Sequence, residues 1–109
     1  MIQGIDVVIL AFDEESSVEA AIADAHEALD PTGVDWHATI VDDGSRDGTL
    51  GIARAIASRD PRVGVRSHAV NRGMGAACRT GFEAGSRPYV TMLPADRQGL
   101  LPDLLHPGP

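Results

Sequence analysis

The sequence predicts an α/β fold: a mainly parallel sheet of about four strands, with helices layered on both faces. Three observations lead there. Short apolar runs rich in Val and Ile alternate with helix-length amphipathic stretches along 109 residues. The first run, Ile5–Phe12, is apolar at nearly every position, as in a strand buried on both faces. Acidic residues follow the strands, Asp13-Glu14 after the first, Asp42-Asp43 after the second and Asp96 after the fourth. In parallel sheets, ligands bind beyond those carboxyl ends.

The elements follow in order. After the first strand, Val18, Ile22, Ala25 and Leu29 recur at helical spacing, and Ser16 with Glu19 forms a capping box. Asp30–Gly33 ("DPTG") ends that helix. His37–Asp43 is the second strand, and Leu50, Ala53, Ile56 and Ala57 mark one side of a second helix that stops before Pro61. "RVGVRS" is a weaker third strand, nearer an edge because Gly64 and two arginines interrupt it. "MGAACRTGFEAGS" is a helix with three glycines, and "PYVTMLPAD" is the fourth strand. Right-handed crossovers join such units.

Composition narrows the function. The chain, residues 1–109, is one domain with a core of Val, Ile, Leu and Ala, since aromatic residues make up only 4%. One cysteine, Cys78, excludes an internal disulfide and fits a reducing compartment; it reads as a small core residue of the third helix. All nine basic residues are arginines, so Walker-type phosphate loops, receiver-domain lysines and Schiff-base chemistry are excluded. The net charge of −7 argues against nucleic-acid partners. Residues 1–60 carry thirteen acids against three arginines, a balance of −10, and residues 61–109 carry three against six, a balance of +3. That asymmetry is either a solvated acidic surface or a set of later arginines that helps to hold an anion. No apolar run is long enough for a membrane span and no targeting signal is evident, so the expected location is cytoplasmic. His26, His37, His68 and His106 lack metal-ligand spacing and read as surface or packing residues, as does Trp36 at a strand start.

The most specific string is "VDDGSRDGT", Val41–Thr49. A buried strand brings two carboxylates to the rim, Gly44 permits a sharp exit, and Ser45 or Asp47 caps the next helix. By itself it is equally a ligand site or a strand–turn–helix joint with acids placed for the helix dipole. With "ILAFDEE", "NRGMGAACRTGFEAG" and "PYVTMLPADRQ" in order, the chain resembles the amino-terminal half of family 2 glycosyltransferases over roughly residues 5–103. The nearest likeness is to the branch that transfers sugars to polyprenyl or dolichyl phosphate.

The resemblance implies a Rossmann-like GT-A fold, here a truncated one, that binds a nucleotide-diphosphate sugar. It implies that Ala11, Phe12 and Glu14 cup the nucleotide, with Phe12 stacking on a base, and that Asp42 or Asp43 holds the base or ribose. Asp13, where the family usually has asparagine, adds charge near the phosphates. Gly73 and Gly75 let backbone approach the diphosphate at a helix start, with Arg72 or Arg79 adding charge-assisted bonds. The family's Asp-x-Asp metal motif stands here as Pro94-Ala95-Asp96, which leaves Asp96 and Gln98 as ligands of Mg2+ or Mn2+. No catalytic base is identified, because the family's base and acceptor surface lie beyond that motif and this chain ends shortly after it.

Transfer to an acceptor such as polyprenyl phosphate is the leading reading. The alternative is an inactive homologue serving as an assembly or interaction module, favoured by Pro94 and the early end. In either case an apolar edge with Leu100, Leu101, Leu104 and Leu105 predicts a homo-oligomer. A receiver domain shares the topology, but lacks support from the missing lysine and from an acid pair after the second strand.

Overall fold

The computed structural model describes residues 4–95. Strand β1 (Gly4–Ala11) leads to helix α1 (Val18–Leu29), a 3-10 turn (Asp30–Thr32), and β2 (Asp35–Asp43). Helix α2 (Thr49–Arg59), β3 (Val63–His68), α3 (Met74–Ala84) and β4 (Tyr89–Pro94) follow. The four strands pair in parallel in the order β3-β2-β1-β4. The expected α/β sheet and its edge strand β3 are both present. Boundaries differ slightly: β1 stops at Ala11, leaving Phe12 in the loop, and β2 begins two residues early at Asp35.

Alternation along the strands sorts residues between two cores. Ile5, Val7, Ile9 and Ala11 of β1 join Trp36, Ala38 and Ile40 of β2 under α1 and α2. Val18, Ala21, Ile22, Ala25 and Leu29 of α1 and Ala53 and Ile56 of α2 complete that layer. The other face is thinner, with Val8 and Val41 packing against Ala77 of α3 and Leu10 beside them. Gly81 lets α3 lie close to the sheet, because a Cβ there would fall 2.3 Å from Val8 Cγ1.

Several details depart from expectation. The Ser16–Glu19 capping box does not form: α1 starts at Val18, its N-cap Ser17 makes no side-chain cap bond, and both Ser17 N–H and Val18 N–H donate to Glu14 O at 2.9 and 3.0 Å. A backbone carbonyl in a fixed loop replaces the side-chain cap, and Glu19 instead meets Arg59 at 3.4 Å on the surface. Asp47, rather than Ser45, serves the start of α2, accepting from Thr49 N–H at 2.9 Å. Cys78 is half-buried along a cleft and not in the core interior, because it lies on the open side of α3. Trp36, 1% exposed, is the expected packing residue. Leu100, Leu101, Leu104 and Leu105, and with them the proposed apolar tail, lie outside the described residues.

At the end of the sheet opposite the carboxyl rim, His26 joins α1 to the end of α2. Its Nδ1 is 2.7 Å from Asp30 Oδ2 and its Nε2 is 2.6 Å from Asp60 Oδ2, with Trp36 edge-on to the ring. Burial opposes charging the ring, but hydrogen bonds to Asp60 and Asp30 outweigh it, so its pKa is raised. A raised folded value means that the stabilisation is complete below about pH 6.5, the ordinary histidine value, and is lost as pH climbs through the folded one. Asp30 and Asp60, whose pKa values are lowered, stay ionised across this window. The stability gap between the unaltered chain and His26→Gln, from urea midpoints, is therefore expected to be larger at pH 6 than at pH 9. An identical gap at both would contradict the charged bridge.

Candidate functional site

Parallel pairing places the ends of β1, β2 and β4 on one rim, where Ala11 is beside Asp42 and Leu10 is beside Pro94. The two loops that leave β1 and β2 are stitched together. Asp13 N–H donates to Ser45 Oγ at 2.9 Å, Glu14 N–H to Thr49 Oγ1 at 2.8 Å, and Arg46 N–H to Asp13 Oδ1 at 2.8 Å. Asp13 holds a left-handed backbone, φ 52°, a conformation that aspartate and asparagine tolerate better than most residues. Its second oxygen meets the Arg46 guanidinium at 3.2 Å, so its charge is engaged in joining the loops. Arg46 also sits 5.7 Å over the Phe12 ring.

The two adjacent carboxylates diverge, as strand alternation demands. Asp42 points to the α1–α2 side, is 1% exposed, and accepts from Ser45 N–H through Oδ2 at 3.4 Å. Its Oδ1 is buried without a hydrogen-bond partner among the described residues. Asp43 points to the α3 side. Its Oδ1 accepts from Arg72 N–H and its Oδ2 from Gly73 N–H, both at 2.9 Å, and His68 Nδ1 lies 2.7 Å from Oδ1. Burial tends to raise the Asp43 pKa, but His68 and the two backbone amides prevail and hold it below the usual carboxylate value.

Two glycines make that clamp possible. At Gly44, φ 76°, a Cβ would fall 2.3 Å from Asn71 N, so only glycine lets the loop after β2 pass beneath the loop before α3. Gly73, φ 95°, turns its amide onto Asp43 and starts α3, whose first internal bond runs from Ala77 N–H to Gly73 O. The amides of residues 74–76 precede that bond and have no intrahelical partner. A Cβ at Gly73 or Gly75 would meet nothing within 4 Å.

Between β1, β4 and the start of α3 opens a cleft of about 550 Å3, within the range typical of small-molecule sites. Ala11, Phe12, Glu14, Asp43 and Gly73 line it, five of the residues expected from the sequence. Asp42 and Gly75 do not: the first is on the other face, and the second is exposed past the cleft's edge. Asp96 and Gln98 lie outside the described residues, although Ala95 N–H, bonded to Leu10 O at 2.9 Å, ends the described chain beside Leu10 of the cleft wall. Met92 and Met74 also form the walls and carried no functional signal in the sequence. His68, expected as a surface or packing residue, has its side chain turned inward, 6% exposed and hydrogen-bonded to Asp43. No spacing rule could have found it, since its partners lie 25 and 12 residues away.

Comparison with known proteins fixes the family. The family model for glycosyl transferase family 2 matches residues 6–105. This chain belongs to glycosyl transferase family 2. Within it, the chain is 34% identical over 95 residues to a polyprenol monophosphomannose synthase of Mycolicibacterium smegmatis, covering 85% of this chain and 34% of that protein. It is 33% identical to an undecaprenyl-phosphate 4-deoxy-4-formamido-L-arabinose transferase of Aeromonas hydrophila, covering 86% and 29%. This family 2 glycosyltransferase domain is thus close to the polyprenyl-phosphate sugar transferases, and spans about a third of the length of these relatives. A mannosyltransferase of Pyrobaculum calidifontis, solved with GDP-Man and Mn2+, superposes with TM-score 0.75 at 22% identity, over 84% of this chain and 27% of that one. S. aureus TarS with UDP-GlcNAc gives 0.73 at 18%, over 85% and 26%. These likenesses establish the GT-A fold. No helix among the described residues is long and apolar enough to cross a membrane.

Replacing Asp43 by Ala strands three donors in a nearly dry position. The expected destabilisation is about 2–4 kcal/mol by urea denaturation. A loss below about 0.5 kcal/mol, the scale of ordinary surface changes, would show that the clamp does not hold the loop.

Proposed function

We propose that this domain binds a nucleotide-diphosphate sugar in the rim cleft and presents it for transfer to a polyprenyl phosphate. The observation that carries this reading is the convergence of the Phe12–Glu14 loop, Asp43 and the open start of α3 on one cleft. Phe12, 38% exposed, offers a ring face to a base, and Asp43 offers an acceptor to a base or ribose. Asp42, on the other face of the sheet and 1% exposed, does not reach the cleft, which leaves Asp43 as the acceptor of the pair. The amides beginning at Met74, with Gly75 leaving the approach open, suit a diphosphate. Arg72, just before α3, and Arg79, in its middle, are both exposed, and neither lines the cleft.

The relatives named for polyprenol and undecaprenyl phosphate support the acceptor class. In such a transfer an acceptor phosphate oxygen forms a bond to the anomeric carbon. The bond from that carbon to the diphosphate breaks, and the nucleoside diphosphate departs with the electron pair. An acceptor that is already an anion needs no general base.

The described residues contain no cluster of three His, Cys, Asp or Glu side chains able to hold a metal. A divalent ion would therefore depend on Asp96, directly after the rim residue Ala95, on Gln98, and on phosphate oxygens of the donor. One carboxylate and one amide oxygen are hard donors that suit Mg2+ or Mn2+. Such an ion supplies neutralisation of charge on the leaving diphosphate.

A second reading, assembly through β4, is favoured by that strand's place at the edge of the described sheet, with Tyr89, Val90 and Met92 51%, 44% and 40% exposed. Calorimetric titration with UDP, GDP and their sugar conjugates, in Mn2+ and then in chelator, separates the two. Metal-dependent binding of one nucleotide, abolished by Asp96→Ala, is the expected result. Metal-independent self-association of a folded chain with no nucleotide affinity would replace the first reading by the second.

A further inference from the structure

His68 ends β3 directly opposite Asp43 in the parallel register, and both side chains are nearly dry, 6% and 8% exposed. Its ring spans two elements: Nδ1 lies 2.7 Å from Asp43 Oδ1 and Nε2 lies 2.8 Å from Thr80 Oγ1 in α3. A neutral ring with its hydrogen on Nδ1 satisfies both contacts, donating to the carboxylate and accepting from the hydroxyl. The same carboxylate takes the Arg72 and Gly73 amides, so one imidazole ties the end of β2, the end of β3, the loop before α3 and α3 itself. A carboxylate has about four acceptor directions, and three are used here. Asp43 lines the cleft, so the remaining direction has a fixed aim.

We propose that His68 is a positioning residue of the donor site, aiming Asp43 and the start of α3 at the nucleotide without touching it. This rests on the donor-site reading above. Without the Nδ1 donor, only the Arg72 and Gly73 amides hold the carboxylate, and its aim into the cleft is less tightly set. The chemistry it serves is recognition of a nucleoside diphosphate.

The test compares His68→Leu, His68→Asn and Thr80→Val with the unaltered chain, each shown to be folded, using GDP and UDP with Mn2+. Asparagine can place an amide donor near the Nδ1 position, whereas leucine fills space with no donor. His68→Leu is expected to weaken binding about tenfold or more, the scale of one charge-assisted hydrogen bond. His68→Asn should restore most of that loss, and Thr80→Val should weaken binding less than leucine does. In the unaltered chain, ring 15N signals should show the hydrogen on Nδ1. If His68→Leu does not fold, the Thr80→Val affinity and the ring signals decide. Unchanged affinity in His68→Leu, or in Thr80→Val when leucine does not fold, asparagine no better than leucine, or a ring whose Nδ1 carries no hydrogen, would overturn the role of His68 while leaving the donor site standing. Absence of nucleotide binding by the folded, unaltered chain would instead overturn the donor-site reading, and the role of His68 with it.

Discussion

The parallel pairing of β1 with β2 on one side and β4 on the other is the constraint from which the site follows. It sends every chain exit after a strand to the same rim, so that residues far apart in sequence become neighbours. Burial on both faces holds β1 in register, because a slip by one residue would exchange Val7 and Ile9 for Asp6 and Val8 between two differently packed layers. Asp6 is itself buried and accepts from Ser86 N–H, Arg87 N–H and the Arg87 guanidinium, which fixes the entry to β4 at the opposite end. The sheet is thus pinned at one end by an ion pair and opens onto the cleft at the other.

Within that frame, adjacent carboxylates acquire different surroundings through strand alternation alone. Asp43 gathers backbone amides from the loop before α3, while Asp42 turns under the stitched loops after β1 and β2. Asp13 shows the same economy: the charge expected near phosphates is matched by Arg46, and the residue works as a joint between loops. The cleft is consequently apolar along Leu10, Met74 and Met92, with its polar groups at defined points. An apolar cleft with few polar groups, among them Asp43 held by His68 and two backbone amides, is the pattern expected of a small-molecule site.

The fold was legible because periodicity is local. Val18, Ile22, Ala25 and Leu29 declare the buried face of α1, and the unbroken run of β1 declares a central strand. The glycine-rich α3 was legible too, and Gly81 against Val8 gives the packing reason. What escaped was set by contacts across the chain. Ser16 and Glu19 satisfy a local rule, yet Glu14 O, held in place by a loop 35 residues on, caps α1 in their stead. His68 has no neighbour in sequence that marks it, and its meaning comes from the register of β3 on β2. Equally, "VDDGSRDGT" marked both Asp42 and Asp43, and only the pleat separates their faces.

The claim at the centre is that a nucleotide occupies the cleft on the carboxyl rim. Backbone 1H–15N chemical-shift mapping during titration with GDP and with UDP, in Mn2+-free buffer containing Mg2+, tests it most directly. Shifts confined to Phe12, Glu14, Asp43 and the segment from Gly73 to Ala77, with Asp30, Asp60 and Arg62 silent, are the predicted result. Shifts centred on the opposite end of the sheet, or none with either nucleotide, would contradict it.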